Sequence, residues 1–358
     1  MGLRKKIKPN PGQYDYGLYN IVYNTSGSNG KLNLINSFGF DSHRSGWGAV
    51  MEQLDCLHSV SGIMVDSFIE RTFGWMRDDL LREHKIPYQE PWIGFIHNPP
   101  GIPEWYKDFN KLQHIFDDSI FIESLKYCKG LYTLSNYLNK WVEDNIPSGY
   151  NILIDELYHP HVGTDYTMFC YEEWLNNKTP MILDIGTWLR KQTTLYNLNI
   201  SNKIRKVKLW PKGHENGTTN RKTMEKFFDK EVSFLGDYSF TKQGVSNIEN
   251  VSNIMYDYLL SRNIVFFDCW DTSANNTLVE CIERTTPVLC PRLPAIIEYV
   301  GDTYPMLYEN SIHASELLRE PEVILRAHNH MKAILKSNKF TIDTFISDIK
   351  KSRIYNNI

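Results

Sequence analysis

The sequence predicts an α/β fold built from two halves. Short apolar runs alternate with helical patterns along most of the chain, and several of these runs are apolar throughout rather than at every second position. Continuously apolar strands are typical of parallel sheets that helices cover, so we expect a doubly wound parallel sheet. A chain of 358 residues is also long enough for two domains rather than one.

The first half contains five predicted strands. They occupy residues 31–38, 61–65, 92–97, 130–134 and 152–158. A polar loop over residues 41–48 follows the first strand and leads into a predicted helix over 49–58, and a second helix is predicted over 135–143.

The second half follows a polar linker at residues 176–180. Its predicted strands occupy residues 181–185, 204–209, 232–235, 264–267 and 287–290. Helices are predicted over 251–262 and from Thr277 to about Arg284, and the chain is mostly helical beyond Ser315.

Charge, cysteine content and hydropathy argue against several classes of protein. The net charge of −3 does not point to nucleic acid as a partner. The six cysteines show no CxxC pair or metal-ligand spacing, which predicts reduced thiols in a cytoplasmic protein. No apolar run has transmembrane length, and the basic start MGLRKKIK favours a solvated tail over a membrane contact.

The most informative segment lies between residues 264 and 284. An apolar run is followed by a loop of small polar residues, 271–276, and then by a helix that begins near Thr277. The first turn of a helix leaves its amides without intrahelical partners, and the helix dipole is positive there. The pattern therefore predicts a site for an anion such as a diphosphate.

This segment resembles the donor-sugar motif of GT-B glycosyltransferases, in particular the retaining group known as family 4. Glu280 matches the second of two glutamates in that motif, Thr286-Pro287-Val288 matches its GxPV segment, and Glu298-Tyr299-Val300 matches its closing EiV. The order and spacing agree over roughly residues 31–305. Weaker matches are Tyr132–Ser135, Met181–Gly186 and Phe234–Gly236.

The sequence departs from the family motif in two places. The first glutamate lies eight residues before the second, where this chain has Thr272 beside Asp271. The glycine-rich turn is replaced by residues 273–276, which read Ser-Ala-Asn-Asn. We still expect donor binding here, with Asp271 as a candidate catalytic residue.

The resemblance implies a GT-B architecture, in which two Rossmann-like domains face each other across a cleft. The expected domains are an acceptor-side domain over 1–175, a nucleotide-sugar donor domain over 176–325, and C-terminal helices over 326–358 that pack back on the first domain. The implied activity moves a sugar from a nucleotide-diphosphate sugar to a hydroxyl of a glycan or glycoconjugate, without a cofactor and with retention.

The expected donor contacts lie around the motif. In the family the glutamate that matches Glu280 accepts hydrogen bonds from the ribose, although Thr277-x-x-Glu280 also has the pattern of a capping box. The other expected donor-binding residues are Gly186, Ser273, Asn275, Asn276 and Thr277. The alternative for the polar ones is an ordinary turn and helix cap.

The expected catalytic cations are Arg190 and Lys191, which would neutralise the leaving diphosphate in place of a metal. The alternative is a solvated basic pair. His97 ends a predicted strand and resembles the histidine that contacts the donor sugar in family 4. The alternative is a hydrogen-bonded histidine with no role in binding.

The loop after the first strand is expected to face the cleft. Gly46 would let the backbone approach the diphosphate, His43 and Arg44 would face the acceptor, and Trp105 would stack on an acceptor sugar. A tight turn and an aromatic core are the alternatives. If the reaction inverts, Asp41 or His43 is the candidate base.

Several common motifs are missing from the sequence. It contains no Asp-x-Asp, so we expect no metal site, and no G-x-G-x-x-G or P-loop, which argues against dehydrogenases and kinases. Two other functions stay open. One is a nucleotide-sugar epimerase or hydrolase on the same fold, and the other is a sugar-binding scaffold without activity.

Overall fold

The structure is a computed structural model that describes most of the chain. The described residues are 3–6, 18–23, 30–40, 46–106, 111–163, 167–210, 221–236, 242–249 and 251–358. They form a small antiparallel sheet and two larger parallel sheets. Asp41, His43 and Arg44 lie outside these residues, so the predictions made for them stay predictions.

The first half carries the antiparallel sheet and one parallel sheet. Its strands are β1 (Leu3–Lys6), β2 (Leu18–Val22), β3 (Leu32–Asn33), β4 (Phe38–Phe40), β5 (Ile63–Asp66), β6 (Trp92–Ile96), β7 (Cys128–Thr133) and β8 (Leu153–Glu156). Its helices are α1 (Trp47–Glu52), α2 (Arg77–Arg82), α3 (Leu112–Phe116), α4 (Ser119–Leu125), α5 (Asn136–Asn145) and α6 (Tyr171–Leu175). A 3₁₀ turn extends α1 over Gln53–Leu57, and a π-helical turn spans Arg71–Trp75.

The second half carries the other parallel sheet. Its strands are β9 (Met181–Ile185), β10 (Arg205–Trp210), β11 (Val245–Glu249), β12 (Ile264–Phe266), β13 (Val288–Pro291) and β14 (Leu307–Tyr308). Its helices, with those that follow, are α7 (Thr194–Asn197), α8 (Arg221–Leu235), α9 (Asn253–Arg262), α10 (Asn276–Arg284), α11 (Pro294–Val300), α12 (Ser311–Leu317), α13 (Pro321–Lys336), α14 (Ile342–Lys351) and α15 (Arg353–Asn356).

The two parallel sheets differ in strand order. The first runs β3-β5-β6-β7-β8, which is the order of the sequence, with no reversal among its described strands. The second runs β11-β10-β9-β12-β13-β14. Its direction reverses between β9 and β12, which gives the strand order of a dinucleotide-binding sheet. Ligands of such sheets bind beyond the carboxyl ends of the strands at this reversal.

One predicted strand of the second half is wrong. Residues 232–235 belong to the end of helix α8, and the third strand of the sheet is β11, which the sequence analysis missed. A four-residue apolar run fits the buried face of a helix as well as it fits a strand. The exposed side chains of Phe234 and Leu235 agree with a helix end that is only partly covered.

The C-terminal helices join both halves. Helix α13 packs on the second half, where Val323, Ala327 and Met331 belong to its core, and the predicted domain boundary at residue 326 therefore falls inside this helix. Phe345 and Ile349 of α14 pack instead in the core of the first half. The chain thus crosses back to the first half after α13, and the C-terminal helices contact the cores of both halves.

Candidate functional site

The candidate site lies where the strand order of the second sheet reverses. Two loops meet there, one after β9 and one after β12. The backbone pairs them, because Lys191 N–H donates to the Asp268 carbonyl at 3.0 Å and Trp270 N–H donates to the Leu189 carbonyl at 3.0 Å. We call residues 271–275 the donor loop, since they connect these pairs to helix α10.

Helix α10 begins at the end of the donor loop. Its N-cap is Asn275, whose side chain accepts from the Leu278 amide at 3.2 Å. The predicted capping box between Thr277 and Glu280 is therefore wrong, because Thr277 already lies inside the helix and its hydroxyl accepts from Arg190 at 3.2 Å. The amides of the first turn remain free of intrahelical partners, as in any helix of this length.

Arg190 is the central cation of the site. Its guanidinium donates to the Ile185 carbonyl at 2.9 Å and to the side chains of Asn275 and Thr277 at 3.2 Å each. It lies over the ring of Phe267 and is only 7 % exposed. No carboxylate lies within 4.0 Å of it among the described residues. The structure therefore holds a buried positive charge on neutral hydrogen-bond acceptors, a state that favours an anionic ligand.

Gly186 makes room for this arginine. Its φ of +97° is one that glycine adopts readily. A Cβ atom placed there would lie 2.7 Å from Arg190 Nη2. Gly186 was predicted to bind the donor. In the structure it leaves space for the Arg190 guanidinium, which a side chain at this position would occupy.

Lys191 is placed differently from Arg190. Its ammonium lies 3.2 Å from Asp268 Oδ1 and over the ring of Trp270. A second buried pair lies nearby, where Lys208 Nζ is 3.6 Å from Asp184 Oδ2. Burial lowers the pKa of Lys208 and raises the pKa of Asp184. Both lysines thus have a carboxylate within 4.0 Å, whereas Arg190 has none at that distance among the described residues, although its charge partly offsets the burial that raises the pKa of Asp184.

Glu280 points away from the first turn of α10. Its Oε2 accepts from the Tyr256 hydroxyl of helix α9 at 2.5 Å, and the residue is 8 % exposed. A carboxylate has room for further hydrogen bonds, so this contact does not conflict with a ribose contact.

His97 lies at the carboxyl end of β6, facing the donor loop. Its ring stacks on Phe68 at 4.0 Å and meets the edge of Trp47 at 4.6 Å. Nε2 lies 3.0 Å from the Ser67 carbonyl, which can only accept, so Nε2 carries the proton and Nδ1 is an acceptor. Burial lowers the pKa of His97 to about 3, which keeps the ring neutral at physiological pH.

The donor loop is hydrogen-bonded to the first half. The Ser273 hydroxyl donates to the His97 carbonyl. Asp271 Oδ2 accepts from the Gly101 amide at 2.7 Å and from the Tyr137 hydroxyl at 2.9 Å. Burial raises the pKa of Asp271. Asp271, predicted as catalytic, therefore forms a bridge between the two halves in this structure.

The structure also places Gly46 and Trp105, two further residues predicted to line the cleft. Gly46 precedes helix α1 as its N-cap, with an ordinary φ of −82°, so no unusual backbone conformation requires glycine there. Trp105 packs against Trp270 and Phe234 of the second half, with ring centroids 5.7 and 5.9 Å away. The tryptophan lies close to the donor loop, as expected for an acceptor-side residue, but within an aromatic cluster.

Sequence reasoning missed several residues of this site. Asp268 could have been noticed, because it follows β12 at the carboxyl edge of the sheet. Tyr137 was not singled out, and Glu298 was matched only as part of the closing EiV segment, because the contacts of both residues run between the two halves. Glu298 accepts from the amides of Asn136 and Tyr137 at 2.7 Å each, and no local pattern predicts contacts between residues more than 160 positions apart.

No protein-family model matches the sequence, and no curated protein matches it. Solved structures do resemble it. Sucrose-phosphate synthase (tll1590) from Thermosynechococcus elongatus has a TM-score of 0.58 at 10 % identity, over 82 % of this chain and 73 % of that one. The trehalose-6-phosphate synthase OtsA has a TM-score of 0.52 at 11 % identity, over 85 % and 75 %.

A further similar structure is Anabaena Alr3699/HepE in complex with UDP-glucose, with a TM-score of 0.50 at 13 % identity, over 73 % of this chain and 71 % of that one. In the described part of the chain no helix is both long and apolar enough to cross a membrane. The two parallel sheets, the crossing C-terminal helices and these structural similarities confirm the predicted architecture: the chain has the GT-B fold.

Proposed function

We propose that this protein is a glycosyltransferase that takes a sugar from a nucleotide-diphosphate sugar. One observation carries the proposal: Arg190 is buried at the switch point of the second sheet, without a carboxylate within 4.0 Å among the described residues, and bonded to the cap of α10. Such a site matches a diphosphate in charge and in hydrogen-bond donors.

The proposed chemistry follows from where charge develops. As the bond between the sugar and the diphosphate breaks, negative charge grows on the leaving phosphate. Arg190 and the first-turn amides of α10 are fixed before the reaction, so they stabilise this charge without reorganising. Lys191 contributes less, because Asp268 already balances its charge.

The sugar of the donor would lie between the donor loop and the end of β6. We assign His97 Nδ1, which is a hydrogen-bond acceptor in the neutral ring, to a sugar hydroxyl. Because its pKa is lowered to about 3, we assign His97 to sugar binding rather than to proton transfer. Retention, as in family 4, is our expectation, and the acceptor is a hydroxyl of a glycan or glycoconjugate.

We further propose that the transfer needs no metal ion. The positive charge that a metal would supply to the leaving group is supplied by Arg190 and by the α10 dipole. The reaction would take place in the cytoplasm, where nucleotide sugars and reduced thiols are both available; all six cysteines are free.

A second candidate function is nucleotide-sugar binding without turnover. The donor loop favours it. Asp271 lies next to the position that the family's first glutamate occupies, and its carboxylate already accepts hydrogen bonds from Gly101 and Tyr137. A protein of this kind would keep the phosphate site and lose the sugar-handling carboxylate.

One assay separates these functions. The protein is incubated with UDP-glucose, the ligand of one similar structure, in the presence and absence of a panel of glycan acceptors, and the products are followed by NMR. Transfer to an acceptor with the anomeric configuration kept supports the proposal. Sugar release or epimerisation without an acceptor indicates a hydrolase or an epimerase. Binding without any product supports the scaffold.

A further inference from the structure

Glu70 is a buried carboxylate that lies behind the end of β6. It precedes the π-helical turn Arg71–Trp75, and it is completely buried. Its Oε1 accepts two successive amides, those of His97 at 2.7 Å and Asn98 at 2.6 Å. Both distances lie at the short end of the range for N–H···O hydrogen bonds.

An ion pair does not account for the buried carboxylate of Glu70. None of the carboxylate–cation pairs in the described part of the chain includes it, and its Oε2 is buried without a hydrogen-bond partner. An unsatisfied buried polar atom needs an explanation, because it costs stability. π-Helical turns also occur frequently at functional sites.

The segment that Glu70 holds is the one that meets the donor loop. We call residues 97–101 the β6 turn. At its start the His97 carbonyl accepts from Ser273, and at its end the Gly101 amide donates to Asp271 at 2.7 Å. These two hydrogen bonds join the β6 turn to the donor loop, so the position of the loop depends on the position of the turn.

The fit at the end of the turn is tight. A Cβ atom on Gly101 would lie 2.6 Å from Asp271 Oδ2 and 3.0 Å from its carboxyl carbon. Real Cβ atoms do not approach this closely, so a small shift of the turn would separate the two segments. The position of the turn, and with it the sugar end of the donor site, needs a fixed support.

We propose that Glu70 is a positioning residue: its carboxylate fixes the β6 turn, and through the turn it places both His97 and the donor loop for binding of the sugar. The inference rests on the proposed function for the identity of the ligand. It does not need that function for the coupling between the two halves, so the two claims can fail separately.

Hydrogen exchange of the ligand-free protein tests the coupling. Glu70→Gln and Glu70→Ala should speed exchange of the amides in the β6 turn and also in the donor loop, roughly 10-fold or more, as loss of a charge-assisted bond allows. Glu52→Gln is the matched control, since Glu52 is a buried carboxylate of the same half that accepts from Tyr19. Faster exchange in the β6 turn alone would overturn the proposal.

Binding tests the consequence for the sugar. With UDP-glucose and UDP as probes, Glu70→Gln should lower affinity for UDP-glucose about 10-fold and change affinity for UDP less than about 2-fold, because the phosphate site does not depend on the turn. Equal losses for both probes would contradict the proposal. If the wild-type protein binds neither probe, the proposed donor is wrong, and the exchange data still decide the role of Glu70.

A second variant covers the case in which the Glu70 substitutions unfold the protein. Gly101→Ala disturbs the same contact from the other end of the turn, at a residue that is largely exposed. It should reproduce the exchange and binding pattern with Glu70 intact. Wild-type exchange in the donor loop of Gly101→Ala would show that the turn and the loop are not coupled.

Discussion

The two parallel sheets of this protein contrast in one property that decides where a ligand can bind. Strands of the first sheet follow one another in sequence order, whereas the second sheet reverses direction between β9 and β12. Only a reversal separates neighbouring loops at the carboxyl edge and opens a crevice between them. In this chain the crevice holds Arg190, the donor loop and the start of α10.

The contrast assigns different tasks to the two halves. The second half supplies the proposed phosphate site, with a buried cation and a helix N-terminus. The described strands of the first sheet show no reversal, and the first half contributes the β6 turn with the neutral His97. Substitutions in each half, changes of pH and removal of metal ions test this division.

The largest effect is expected at Arg190. Arg190→Ala should lower turnover roughly 10²-fold, the scale seen when a preorganised electrostatic donor is removed. Lys191→Ala should change turnover only a few-fold, because Asp268 balances this lysine in the wild-type protein. Steady-state kinetics on both variants would check the order.

Controls for this comparison are available in the same half. Lys203→Ala removes an exposed lysine and should leave turnover unchanged. Added guanidinium should partly restore Arg190→Ala if the side chain acts through its charge and donors. A larger loss of turnover in Lys191→Ala than in Arg190→Ala would contradict the assignment of Arg190 as the main cation. If both variants turn over normally, Arg205, Lys206 and Lys208 are the next cations to test.

The second effect concerns pH and the first half. His97 has a pKa lowered from 6.5 to about 3 by burial, so between these values the unfolded chain binds more protons than the folded one. Its contribution to the free energy of unfolding therefore rises with pH from about 3 to 6.5, by on the order of 2 kcal/mol after allowance for its partial exposure. His97→Gln should flatten this rise in urea unfolding at a series of pH values.

Glu70 provides a control of opposite sign. Burial raises its pKa from 4.5 to about 7, so the folded state binds more protons across that window and its contribution to stability falls as pH rises. Glu70→Gln should remove this fall. A shift of the pH dependence of stability in the same direction for both variants would contradict the opposite pKa shifts of His97 and Glu70.

The third effect concerns the ribose. If Glu280 holds ribose hydroxyls, Glu280→Gln should lower affinity for UDP about 10-fold, because a neutral amide accepts weaker hydrogen bonds than a carboxylate. Tyr256→Phe removes the hydroxyl that Glu280 accepts and is the matched control. Calorimetric titration would decide, and unchanged affinity in Glu280→Gln would contradict the ribose assignment.

The smallest effect is expected from metal removal. In the proposed mechanism Arg190 and the α10 dipole supply the positive charge at the leaving group, so excess EDTA should leave the rate unchanged. Loss of activity in EDTA that Mn²⁺ or Mg²⁺ restores would contradict this part of the proposal.

Local patterns in the sequence predicted much of the second half. Continuous apolar runs located β9 and β12, and the strand–loop–helix pattern located the start of α10 to within one residue. These features depend on neighbouring residues, which is why periodicity and helix-start signals find them. The strand predicted at residues 232–235 was wrong, because so short a run carries no period and the residues form the end of helix α8.

Strand order and contacts between the halves could not be predicted in this way. No local pattern distinguishes the sequential first sheet from the reversed second one, since both use the same kind of strand. The sequence suggested a basic pair at Arg190 and Lys191, but only the structure shows that Asp268 pairs with one of them. Glu70 and Tyr137 act on residues 27 and 134 positions away.

The most direct test of the account is a crystal structure with UDP bound. We expect the diphosphate beyond the carboxyl ends of β9 and β12, with its oxygens at hydrogen-bond distance, about 3 Å, from the Arg190 guanidinium and from the first-turn amides of α10. UDP bound at the first sheet, or bound with Arg190 still held only by Ile185, Asn275 and Thr277, would contradict the central claim that the reversal in the second sheet makes the donor site.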